Sequence, residues 1–273
     1  MESLVHVAFY LGVIAYSAAS TLFFLDLARR EGLGVRSAWA PRLLGAAGAL
    51  HATHLVAASL LSNLCPVESL HFGLSFSALV AVGAYLLLYR RAKLFALGAV
   101  IAPVALTFLI GAQFVGASAP EAAEISRPFL AFHIAANVLG IGLFVVAGAA
   151  GLLYVFQERR LRHKLASGFG ARLPSLDALD RATHLLLVAA FPLLTFGLVT
   201  GAVFSRQLET FQVAELARSL LGFATWVLLA GVLLLRRLLG MRGRRTAYGT
   251  LAGLLCVLLV ILVYAVRPGG HGS

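Results

Sequence analysis

Cysteine is scarce, two in 273 residues, and neither Cys65 nor Cys256 stands in a CxxC or CxxCH arrangement. Thiol–disulfide exchange and thioether attachment of a prosthetic group therefore have no residues to run on. Cys65 falls in a loop and Cys256 inside an apolar run, an arrangement that argues against their pairing. Acidic residues are almost as sparse, 11 against 22 basic ones. Asp26, Asp177 and Asp180 lie near the ends of apolar runs, and no two carboxylates stand together for acid and base work. GxSxG, HExxH and a Walker glycine loop are absent, so a side-chain-catalysed reaction is not expected. There is no 20–50-residue repeat, and no pair of Gly/Pro-broken runs in corresponding halves, which speaks against a solenoid and a duplicated transporter.

Apolar residues make up 60% of the chain, charged residues 12%, and the mean hydropathy is +0.93, beyond what a soluble core of this length requires. A helix crosses a bilayer with roughly 20 predominantly apolar residues. Eight runs meet or approach that length, centred near Gly12, Ala52, Val80, Ala105, Phe144, Leu193, Leu228 and Leu258. The expected fold is an all-α polytopic membrane bundle of eight transmembrane helices, with residues 1–273 forming a single membrane domain. The N-terminal run has no basic residue before Arg29 and reads as a retained first span.

Basic residues gather in alternate loops: Arg29, Arg30, Arg36 and Arg42; Arg90, Arg91 and Lys93; Arg159, Arg160, Arg162, Lys164, Arg172 and Arg181; Arg236, Arg237, Arg242, Arg244 and Arg245. Elsewhere there are Arg127, Arg206, Arg218 and Arg267. The positive-inside rule then puts both termini outside in a multi-pass membrane protein. Attraction to anionic headgroups accounts for the net charge of +11. Cations divided among four loops form no nucleic-acid stripe. Within the longest inner loop, Ser175 is placed to cap a helix whose first turn holds Asp177, with Asp180 completing it.

Histidines are the chemically informative residues. His51 lies about nine residues beyond Arg42, near mid-bilayer, and His54 follows one turn later on the same face. Imidazoles at that depth face the bundle interior, where they either hydrogen-bond to neighbouring helices or meet a ligand. His133, after Pro128, and His271, in the tail RPGGHGS, fall on the expected outer face with His71 and His6. Two histidines distant in sequence can clamp opposite faces of an iron porphyrin, and the tail glycines give His271 reach. His271 can equally be an idle, solvated tail residue. His163 reads as part of a solvated basic loop, and His184 as an interfacial residue at the start of the sixth span.

The stretches AFHIAANVLGIGLFVVAGAAGLLYVFQERRLR and LPSLDALDRATHLLLVAAFPLLTFGLVTGAVF, and a last span followed by a histidine in its tail, resemble the cytochrome c assembly protein family. These are membrane haem-handling proteins of the CcsA, ResC and CcmC type, and the layout is most similar to the HemX-like branch. The resemblance is strongest over 128–273 and implies an outer haem site flanked by His133 and His271 as axial iron ligands. The family's tryptophan-rich outer segment has no counterpart: the region reads FSRQLETFQVAELARSLLGFATW, and its one tryptophan is Trp226, in span seven. Phe204 and Phe211 could supply apolar contact there, and Arg206 or Arg218 could meet a haem propionate.

Two functions follow as expectations. The first is a haem-binding protein of cytochrome c biogenesis, holding non-covalent b-type haem or delivering it at the outer face, beside a second assembly subunit or an apocytochrome. His133 and His271 would ligate the iron, and His51 and His54 would contact haem in transit. The second is a noncatalytic partner or regulator of haem biosynthesis or of an assembly complex, docking a soluble protein on Arg159, Arg160 and Arg162.

Overall fold

The computed structural model describes residues 2–28, 38–62, 70–114, 127–164, 173–205 and 213–265. Among these the chain is entirely helical: α1 (Glu2–Ala28), α2 (Trp39–Ser62), α3 (Leu70–Ala92), α4 (Gly98–Ala112, entered through a 3-10 turn at Phe95–Leu97), α5 (Arg127–Arg162), α6 (Leu176–Ser205), α7 (Val213–Leu239) and α8 (Arg244–Ala265). Eight helical spans are long and apolar enough to cross a membrane, and each expected centre lies within its helix. Ser175 does cap α6: its hydroxyl accepts from the Ala178 N–H at 3.3 Å.

Interhelical contacts fix the directions. His54 of α2 bonds to the Val5 carbonyl at the start of α1 and to Gln113 at the end of α4, so those three ends meet. Gly73 of α3 lies against Val138 of α5, and Val80, about two turns further along α3, against Gly142, about one turn further along α5, so α3 and α5 run parallel. His133 near the start of α5 meets Thr200 near the end of α6. The starts of α1, α3 and α5 therefore share one end of the bundle with the last turns of α2, α4 and α6. The arginine-bearing ends of α3, α5 and α7 gather at the other.

The first half packs around Tyr16, Phe23, Leu44, Tyr85, Phe95 and Ile101, all buried. The long α5 continues this core and touches α3, α6 and α8. Lipid tails are as apolar as leucine, so close approach through small residues replaces the hydrophobic drive of a soluble bundle. Gly142 is the clearest instance: a Cβ there would stand 2.6 Å from Val80 and 2.8 Å from the Ser77 carbonyl oxygen. A backbone carbonyl cannot swing aside. Gly142→Ala should therefore lower the thermal midpoint in detergent through overpacking worth about 1–3 kcal/mol, and an unchanged midpoint would mean that α3 and α5 pack less tightly there.

Candidate haem-ligand histidines

His133 lies six residues into α5, half-buried against α6. Its Nδ1 is 2.5 Å from the Thr200 hydroxyl. That hydroxyl has one hydrogen, which it donates to the Phe196 carbonyl at 2.7 Å. Thr200 Oγ1 can then only accept, so the network assigns the ring proton of His133 to Nδ1 and the lone pair to Nε2. Asn137, one turn on, donates to the His133 carbonyl at 2.9 Å and to Nε2 at 3.3 Å. The second bond is long for N–H donation. Gly197 and Gly201 provide the space, since a Cβ at Gly197 would overlap the Asn137 amide and one at Gly201 would stand 3.4 Å from the imidazole. Thr200 thus sets ring orientation and tautomer, as an outer partner does for a metal-binding histidine.

A second polar group lies between α1, α2 and α4. His51 is 0% exposed and its Nδ1 is 3.2 Å from the hydroxyl of Tyr16, also 0% exposed, while its Nε2 is buried with no hydrogen-bond partner. His54 differs. Its Nδ1 donates to the Val5 carbonyl at 3.0 Å, its Nε2 accepts from Gln113 at 3.3 Å, and the Phe9 ring stands 5.3 Å away, centroid to centroid. The pair therefore divides: both nitrogens of His54 are engaged by neighbouring helices, and His51 keeps one uncommitted nitrogen in an apolar interior. An orphaned buried polar atom costs about 1–3 kcal/mol and calls for a functional or solvent partner.

These two groups are not one site. His51 and His54 face α1 and α4, whereas His133 faces α6. His271, Phe211 and Arg206 lie outside the described residues, as do the side chains of His71 and Phe204, so the clamp expected between His133 and His271 lies partly outside them. His6 is exposed on α1 and bonds to the carbonyl of its own first turn. His163 is exposed at the end of α5. Trp226 donates its indole N–H to Thr195 at 2.9 Å and stacks between Phe191 and Phe223, so it braces α7 on α6. Cys256, inside its apolar run, is half-buried in α8.

Asp180 has a larger role than helix-start residue. It accepts two parallel bonds from Arg236 of α7, at 2.9 and 2.8 Å, and a third from the Gly243 N–H at 2.9 Å. Gly243 has φ +74° and its α-carbon stands so close to the Tyr154 hydroxyl that a Cβ would come within 2.5 Å of it. The lock joins α6, α7 and the turn into α8. At the same end, among the cations expected to dock a partner, Arg160 is 7% exposed, whereas Arg162, paired with Glu158 at 2.8 Å, and Arg159, 3.4 Å from the Tyr248 hydroxyl, are exposed.

A bundle of eight membrane-length helices, with imidazoles buried between them, defines a polytopic membrane protein with intramembrane donor groups. The family described as Cytochrome C assembly protein matches residues 68–270. The chain belongs to this family, and membership supports a role in cytochrome c biogenesis. It is 30% identical over 205 residues to an uncharacterized 28.8 kDa protein of Azospirillum brasilense, covering 71% of this chain and 73% of that one. Protein HemX of Bacillus subtilis is 24% identical over 263 residues, covering 92% and 91%. The cytochrome c biogenesis protein CcsA of Guillardia theta is 25% identical over 226 residues, covering 74% and 72%. No solved structure matches the chain. The HemX-like branch is supported by near full-length similarity to HemX.

Proposed function

We propose that the chain is a haem-binding membrane protein of cytochrome c biogenesis, working as one membrane domain over 1–273, which holds haem at the outer face of a bacterial inner membrane or delivers it there. The observation that carries this reading is His133: Thr200 accepts from its Nδ1–H, which puts the lone pair on Nε2, where Asn137 makes a long amide contact. Neutral imidazole nitrogen in that state is an axial donor for haem iron. Asn137 must turn its amide away for the nitrogen to bind, and its bond to the His133 carbonyl holds it close by in the meantime. His271, in the tail, is assigned the opposite face of the iron. The bilayer supplies the apolar surroundings, and a second assembly subunit or an apocytochrome is the partner proposed for haem received or released. Bound haem supplies the redox-active iron, and the chain supplies donor, tautomer and burial.

His51 is proposed as the intramembrane haem contact. Full enclosure means that α1, α2 and α4 must separate before a porphyrin reaches its free Nε2. His54, with both nitrogens occupied, is proposed to contact haem only after giving up Gln113. With the basic loops assigned to the inside, both termini are proposed to lie outside.

The reading predicts a Soret band in protein purified in detergent, strongly reduced in a His133→Ala, His271→Ala double variant that retains its helical circular dichroism. Wild-type protein that stays colourless after haem addition would reject haem binding and favour the noncatalytic HemX-like role.

A further inference from the structure

A half-enclosed cavity of about 430 Å³ opens between α6 and α7 at the arginine-bearing end, away from His133. His184, Arg236, Arg237 and Arg242 line it, and Val188, Phe191 and Leu233 provide apolar wall. The lock described above organises it. Asp180 takes both guanidinium nitrogens of Arg236 and the Gly243 N–H, so the backbone next to Arg242 is pinned and the Asp180 charge is already answered. Arg237 and Arg242 are exposed and form no ion pair with a carboxylate among the described residues. Nδ1 of His184 is buried and has no hydrogen-bond partner. Two cations and the His184 ring thus line the same space.

We infer that this cavity binds the phosphate headgroup of an anionic phospholipid, with Arg237 and Arg242 on the phosphate oxygens and an acyl chain running over Val188. A phosphate offers the multiple acceptors that guanidinium forks match. Basic pockets between spans at the headgroup level are where such lipids are held, and the volume lies in the range of about 300–1,000 Å³ usual for small-molecule sites. A lipid is favoured over free phosphate because the apolar wall leads directly to outward-facing Val188 and Leu185 of the same helix. The bound headgroup would tie α6 to α7, whose outer surface is mostly uncovered by protein.

Native mass spectrometry of the full chain with phosphatidylglycerol, and separately with phosphatidylcholine, tests the inference. Retention of phosphatidylglycerol should exceed that of phosphatidylcholine and fall roughly thirtyfold in an Arg237→Gln, Arg242→Gln variant, the loss expected for two cations at a membrane surface. An Arg90→Gln, Arg91→Gln control, altered at the same end on α3, should retain it. Phosphatidylglycerol should also raise the thermal midpoint of the wild type and not of the Arg237, Arg242 variant. Equal retention of the two lipids, or unchanged retention in that variant, would overturn the site. Displacement by equimolar inorganic phosphate, or by haemin, would overturn the choice of a phospholipid.

Discussion

Asp180→Ala should be the most destabilising single substitution at the basic end, costing about 3–5 kcal/mol, the range for removing one partner of a buried ion pair. The reason is what remains. Arg236, with its side chain 10% exposed, would keep a full charge without a counterion, and the Gly243 N–H would lose its acceptor. Because the same carboxylate ties α6, α7 and the entry to α8, the loss should appear as a lower thermal midpoint together with earlier hydrogen exchange in α7. An Asp180→Leu, Arg236→Met pair should recover much of the difference, since an apolar pair of similar volume avoids the desolvation of both ions. A single variant as stable as the wild type would show that the lock contributes nothing.

The second large effect concerns His133. On the proposed function, His133→Ala should abolish most haem absorbance, whereas Thr200→Val should weaken haem affinity about 10–100-fold, the usual cost of removing a metal ligand's outer partner. The two variants differ in kind. Alanine removes the donor atom, while valine keeps it and releases the Nδ1 proton from the oxygen that orients the ring. Asn137→Ala should act oppositely and strengthen binding, because it removes the amide contact that opposes Nε2. Haem titration of the three variants in one detergent reads the order directly. Equal affinity of wild type and Thr200→Val would mean that the Thr200 contact has no part in ligation.

Much of the architecture was legible in the chain. Twenty-residue apolar runs have one stable form in lipid, because every backbone group must be satisfied within the segment, so the eight centres fell inside eight helices. Burial of His51 and His54 was legible for the same reason, given their distance from the basic loop. Which nitrogens would be occupied was not, since Tyr16 and Gln113 are 35 and 59 residues away from their partners. Asn137 was within reach of sequence reasoning as the i+4 neighbour of His133 on one helix face. Thr200, 67 residues on, carries no signal that separates it from the other threonines of the spans. Asp180 read as a helix-start acid because its partners lie 56 and 63 residues downstream. Arg159, Arg160 and Arg162 were legible as charges at a helix end, but not that Arg160 would be buried while Arg159 and Arg162 stay exposed beside Tyr248 and Glu158.

The most direct test of the central claim is imidazole rescue of the haem-loaded His133→Ala variant, followed by absorption spectroscopy. Removing the side chain leaves space against Gly201 and Thr200 that free imidazole can enter. The variant should lack the wild-type Soret band without imidazole and regain it when imidazole is added. A His133→Ala protein that shows the wild-type spectrum with no imidazole present would contradict the assignment of His133 as a haem-iron ligand.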